Sequence, residues 1–152
     1  MSLFDAVSKV KSQAASMTPW MAFATSLFYI ISADGKFEDV EVAYLVTALG
    51  GESKDDEIQI SAERRKTLED ALKYGRSNTV ESFLVEAAGT LNRDQKLCVL
   101  LNMIDCALSS GEIGQEEIAV IMRFKSAFSI PEAELKPMID ILALKNKKEV
   151  LG

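Results

Sequence analysis

Histidine is absent from the sequence, which removes the side chain that most often serves as a general base or a metal ligand. Serine–histidine and cysteine–histidine nucleophile systems and paired-histidine zinc sites all require an imidazole. The sequence also has no phosphate-binding glycine loop and no nucleophile beside a base. We therefore expect a protein that is not an enzyme.

Cysteine and proline are scarce, with two and three residues in a chain of 152. Cys98 and Cys106 fall on one predicted helix, about 12 Å apart along its axis, which is too far for a disulfide. We predict two reduced thiols in the core of a cytoplasmic protein. Because no linker rich in proline, serine or glycine divides the chain, residues 1–152 are expected to form one domain.

Long apolar runs and an excess of positive charge are also missing. The longest apolar stretch, residues 20–31, is shorter than the roughly twenty residues of a membrane span, so no transmembrane segment is expected. Seventeen basic residues against twenty-three acidic ones give a net charge of -6, which opposes binding to nucleic acid. A protein partner is expected instead, while a homodimer and peripheral association with a membrane stay open.

Apolar residues recur at helical spacing along most of the chain, and no segment sustains the period-two alternation of a strand. Residues 3–12 predict an outer helix. Trp20 and Leu27 share the stripe of a buried helix that Thr18 and Pro19 begin. The prediction is an all-α protein, a compact bundle of about seven to eight helices with polar residues 52–61 as its longest connection.

Two acidic loops that contain glycine follow one pattern. Superposing Gly35 on Gly111, an offset of 76, aligns Glu41 with Glu117, and each glutamate follows its glycine by six residues. Apolar helices flank both loops. The pattern predicts a repeat of helix-loop-helix units, residues 17–50 and 93–128, related by a pseudo-twofold axis.

These loops resemble those of the TerB-like family of tellurite-resistance proteins, whose loop usually reads Asp-Gly, variable, apolar, two variable residues, then Glu-Glu. The resemblance covers residues 20–49 and 97–142. It implies a helical accessory protein of a tellurite- or stress-resistance system, whose acidic residues have been suggested to bind divalent cations. The first loop keeps Asp34, Gly35, Phe37 and Glu41 but has Val40; the second keeps Gly111, Ile113, Glu116 and Glu117 but has Ser110 in place of the aspartate.

Four carboxylates are the candidate metal ligands, namely Asp34, Glu41, Asp105 and Glu117. Converging carboxylate oxygens suit calcium, magnesium or manganese. Asp105 stands on an otherwise apolar helix, where a buried carboxylate requires a partner. If the repeats face each other, all four side chains could form one acidic site.

Each of these carboxylates also has a structural alternative. Glu41 and Glu117 stand where the third residue of a helix bonds back to its start. Asp34 could accept backbone hydrogen bonds within its turn, and Asp105 could form a salt bridge. The alternative function is therefore a helical protein–protein interaction module without a metal, whose binding surface would involve the N-terminal helix or the six methionines.

Overall fold

The computed structural model describes residues 16–35, 39–54 and 57–152 of the chain. Within these ranges it forms seven α-helices, one two-stranded hairpin and a C-terminal 3₁₀ helix, Lys148–Leu151. The predicted helix at residues 3–12 lies outside the described residues. The elements in chain order are α1 (Pro19–Ile31), α2 (Asp39–Ala48), β1 (Glu52–Lys54), β2 (Glu57–Gln59), α3 (Ala62–Ser77), α4 (Val80–Thr90), α5 (Arg93–Ser109), α6 (Gln115–Ala127) and α7 (Glu132–Asn146).

Helix α1 is the centre of the bundle and packs against α2, α3, α4, α5 and α6. It begins as the sequence predicts: Pro19 occupies the first position, and the Thr18 hydroxyl accepts the N–H of Met21 at 3.1 Å. Thr25 and Ser26 are fully buried, and each donates its hydroxyl at 2.7 Å to a carbonyl one turn earlier. The helix can therefore be enclosed without leaving these hydroxyls unbonded.

Helix α3 lies against α1 because Gly75 has no side chain. A Cβ atom at this position would stand 2.3 Å from Cδ1 of Phe28. Near the end of the same helix, the Tyr29 hydroxyl donates to the carbonyl of Asn78 at 2.9 Å. Burial, together with the charge of Glu81, raises the pKa of Tyr29 to about 12.

A row of aromatic rings joins α1, α4 and α6 in the core. The ring centroids of Tyr29 and Phe83 are 5.4 Å apart, those of Phe83 and Phe124 are 5.8 Å apart, and those of Phe124 and Phe128 are 5.6 Å apart. Such tilted and edge-on pairs add about 0.5–1.5 kcal/mol each to the effect of burial. The predicted all-α bundle is confirmed.

Residues 52–61 are not an irregular connection. Strands β1 and β2 pair antiparallel, with Glu52 opposite Gln59 and Lys54 opposite Glu57. The expectation that polar residues 52–61 form only a connection is therefore wrong, while the all-α class of the bundle stands. Each strand has three residues, fewer than the roughly four to eight over which alternation can be recognised.

Helix α7 completes the described bundle by packing along α5. Pro131 precedes its first residue, and Leu135 is buried. On its outer face, Ile141 and Leu144 remain 68% and 67% exposed. No helix in the described part of the chain is both long enough and apolar enough to cross a bilayer.

Candidate functional site

The two acidic loops have the same local backbone features. Gly35 and Gly111 both adopt positive φ angles, +78° and +114°. The N–H of Gly35 donates to the carbonyl of Ser32 at 3.0 Å, and that of Gly111 donates to Leu108 at 3.2 Å. Helices α2 and α6 each begin four residues after the preceding glycine. The two loops thus have the same backbone features at the positions that the sequence alignment makes equivalent. The twofold relation of the two halves stays a prediction.

Glu117 stabilises the start of α6. Its Oε1 accepts the N–H of Gly114, the residue before the helix, at 2.9 Å. The capping role considered for Glu117 is therefore observed, and its negative charge also lies at the positive end of the helix dipole. One carboxylate oxygen of this candidate ligand therefore already accepts a backbone hydrogen bond.

Asp105 is held by side chains from two other helices. Lys145 Nζ lies 3.0 Å from both carboxylate oxygens, Asn146 Nδ2 donates to Oδ1 at 2.8 Å, and the Tyr44 hydroxyl donates to Oδ2 at 3.1 Å. We refer to these four residues as the Asp105 cluster. The salt bridge considered for Asp105 is observed, and its side chain is only 15% exposed.

The electrostatics of the Asp105 cluster follow from this bonding. Burial raises the pKa of Asp105, but the hydrogen bonds from Asn146, Lys145 and Tyr44 and the charge of Lys145 outweigh burial and hold the pKa below its ordinary value of 3.8. Burial and the charge of Asp105 raise the pKa of Tyr44 well above its usual range. Asp105 is therefore ionised and Tyr44 is neutral near pH 7.

Three of the four candidate ligands influence the thiol of Cys106, which is buried on α5. Burial, followed by the charges of Glu41, Glu117 and Asp105, raises the pKa of this thiol to about 12. A Coulomb interaction weakens with distance, so the charges that shift the pKa of this thiol are those nearest to it. These three come from α2, α5 and α6. Asp34 is exposed in the first loop.

A closed metal site is not formed by the residues that the structure describes. Among them, no three cysteine, aspartate or glutamate side chains are close enough together to hold one ion. Oxygen donors are the right kind of ligand for magnesium, calcium or manganese. Glu41, Asp105 and Glu117 therefore share a neighbourhood without forming a coordination shell, and the metal site stays a prediction.

Cys98 is exposed, so the prediction that both thiols lie in the core is wrong for this residue. It lines a groove of about 410 Å³ together with Trp20, Phe23 and Leu91. The sequence pattern places Trp20 on a buried stripe, but 44% of this residue is exposed. The guanidinium carbon of Arg64 lies 3.9 Å from the centre of the Trp20 ring, a cation–π contact.

The methionine surface suggested by the alternative function is only partly available. Met21 and Met103 are core residues, whereas Met122 is half exposed on α6. The other suggested surface, the N-terminal helix, is not covered by the described residues. The interaction surface of the alternative function therefore stays a prediction.

Comparison with known families agrees with the fold and the loops. A family model described as Tellurite resistance protein TerB matches residues 20–138. The match includes both acidic loops and all four candidate ligands. No curated protein and no solved structure shows a significant match to this chain.

Proposed function

The chain belongs to the TerB family, and we propose that it acts as a non-enzymatic accessory protein of a cytoplasmic tellurite- or stress-resistance system. In this role its acidic side chains recognise a divalent cation or a protein partner. The side chains proposed for recognition are Asp34, Glu41, Asp105 and Glu117.

The observation that supports this proposal is the acidic surroundings of Asp105 and Cys106 on α5, where the Tyr44 hydroxyl joins α2 to Asp105 at 3.1 Å. Glu41, Glu117 and Asp105 belong to different helices, yet all three raise the pKa of one buried thiol. Like charges held in one neighbourhood repel one another, and a cation would relieve that repulsion. Lys145 already supplies one positive charge to Asp105. A divalent ion bound among these carboxylates would add further positive charge.

A cation in this neighbourhood would be bound weakly and largely through water. The described residues offer no set of three donors at coordination distance, and Glu117 already accepts one backbone hydrogen bond. Magnesium commonly keeps several of its waters and uses only one or two carboxylates. We therefore expect a dissociation constant on the order of 10⁻⁴ to 10⁻³ M, in the range of weak carboxylate sites.

Calorimetric titration of the purified protein with magnesium, calcium and manganese tests the proposal. Glu117→Gln is the informative variant, because glutamine can keep the hydrogen bond to Gly114 while losing the charge. Glu132→Gln is the matched control, since it removes an equal charge from an exposed position in the first turn of another helix, α7. We expect weaker binding for Glu117→Gln and wild-type binding for Glu132→Gln. The absence of heat and of any rise in Tm at millimolar metal would overturn the cation version.

A second candidate function is a helical interaction module that needs no metal. It is favoured by the bonding of Glu117 to Gly114 and of Asp105 to Lys145, which gives both carboxylates a role in the fold. Its partner would be another protein or a second copy of the chain. Growth on tellurite of cells that carry each variant separates the candidates. The module predicts equal growth with Glu117→Gln and Glu132→Gln, whereas cation recognition predicts that only Glu117→Gln impairs growth.

A further inference from the structure

We infer that the Asp105 cluster couples helix α2 to the C-terminal end of α7, so that opening of either element promotes opening of the other. Asp105 lies on α5, Tyr44 on α2, and Lys145 and Asn146 at the end of α7. The inference concerns hydrogen bonds within the chain and holds whether or not the protein binds a cation.

The two carboxylate oxygens of Asp105 connect the elements. Oδ1 accepts from Lys145 and Asn146, while Oδ2 accepts from Lys145 and Tyr44. A carboxylate has about four lone-pair sites, so these contacts occupy all of them. Because the Asp105 side chain is mostly buried, water cannot freely replace a lost donor. Loss of the Lys145 contact therefore leaves the carboxylate short of one donor while α2 still covers it. This lowers the free energy needed to open α2 and release Tyr44.

The end of α7 depends strongly on this cluster. Within residues 143–146 only Asn146 is partly buried, and the other three residues are exposed. Few apolar contacts thus hold the last turn, and such segments open most easily. Asn146 Nδ2 also donates to the carbonyl of Leu142 at 2.9 Å, which joins the side-chain cluster to the helix backbone.

Helix α2 has a second anchor and should respond less. Leu45, Val46 and Leu49 are buried at or near its C-terminal end, and the Tyr44 hydroxyl also lies 3.3 Å from the carbonyl of Asn102. Opening of α2 removes Tyr44 from Oδ2 and leaves the carboxylate less stabilised. The free energy needed to open the end of α7 falls as a result, because Lys145 and Asn146 hold that end to the same carboxylate.

Hydrogen exchange measured by mass spectrometry in chelator tests this coupling. Tyr44→Phe removes one hydroxyl from α2, and Lys145→Met removes one charge from α7. The matched control is Lys136→Met, which removes a lysine of α7 that pairs with exposed Asp140 at 3.3 Å. We expect Tyr44→Phe to speed exchange in residues 140–146, and Lys145→Met to speed it in residues 39–48. Each remote effect should be severalfold, up to about tenfold for the loss of a hydrogen bond to a charged group.

Effects confined to the mutated helix would overturn the coupling, as would an equal remote effect of Lys136→Met. Asp105→Asn should speed exchange in both segments. If that variant fails to fold, the two reciprocal measurements on Tyr44→Phe and Lys145→Met still decide the question.

Discussion

Replacing Gly75 by alanine would place a methyl group in the space that the Phe28 ring now occupies. The new Cβ would stand 2.3 Å from Cδ1 and 2.6 Å from Cε1, closer than Cβ contacts in real proteins. The Phe28 ring is buried, and its centroid is 5.9 Å from that of Tyr29, so a shift disturbs further packing. Overpacking costs about 1–3 kcal/mol, while alanine gains about 1 kcal/mol in a helix. We expect a net loss of about 0–2 kcal/mol in the free energy of unfolding, and hence a stability about 1–3 kcal/mol below that of a variant with the same propensity gain and no clash.

Gly89→Ala is the matched control, because no atom lies within 4 Å of the Cβ that would be added on α4. This variant should gain up to about 1 kcal/mol from helix propensity alone. Thermal and urea unfolding followed by circular dichroism measure both changes. A shift in Tm of about 2–4 °C is expected for each kcal/mol in a chain of this size. Gly75→Ala as stable as Gly89→Ala would refute the close approach of α3 to α1.

Two further predictions concern ionisable side chains. Iodoacetamide near neutral pH should modify exposed Cys98 rapidly and Cys106 only after unfolding, because Cys106 is buried and its pKa is raised to about 12. Peptide mass spectrometry measures the two rates of modification. Equal rates in the native protein would contradict this prediction. The pKa of Asp105 is lower in the folded protein than its ordinary value of 3.8. Its contribution to stability is therefore fully present above pH 3.8 and is lost as the pH falls through the pKa of the folded protein. The difference in unfolding free energy between wild type and Asp105→Asn should therefore shrink in that acidic window, and a difference that stays constant down to about pH 2 would count against the ion pair.

Much of the fold is readable from the sequence because helix starts depend on local contacts. The hydroxyls of Thr18 and Thr79 each accept a hydrogen bond from an amide three residues later, and Pro131 precedes α7. The hairpin at residues 52–59 escapes detection because its strands are too short to show alternation. The burial of Trp20 is also misjudged from the sequence. This residue follows the apolar spacing of α1, but it lies in the first turn, where the bundle covers it only in part.

The bonding of the candidate site depends on distant residues and is harder to read. A charged Asp105 among apolar neighbours indicates that a partner exists, but Lys145 is 40 residues away. From sequence alone, Lys145 is a lysine that suits the C-terminal end of a helix dipole. The cap formed by Glu117 is local and could be predicted. The shared neighbourhood of three carboxylates at Cys106 requires the packing of α2, α5 and α6, which spacing along the chain does not define.

Manganese titration of isotope-labelled protein, followed by the broadening of amide NMR signals, tests most directly whether these carboxylates recognise a cation. Because paramagnetic broadening falls steeply with distance, the first signals lost identify the site. We expect early loss around Cys106 and at the starts of α2 and α6, and less loss in Glu117→Gln. Broadening that begins at the exposed acidic residue Glu132, or none at millimolar manganese, would contradict cation recognition at this site.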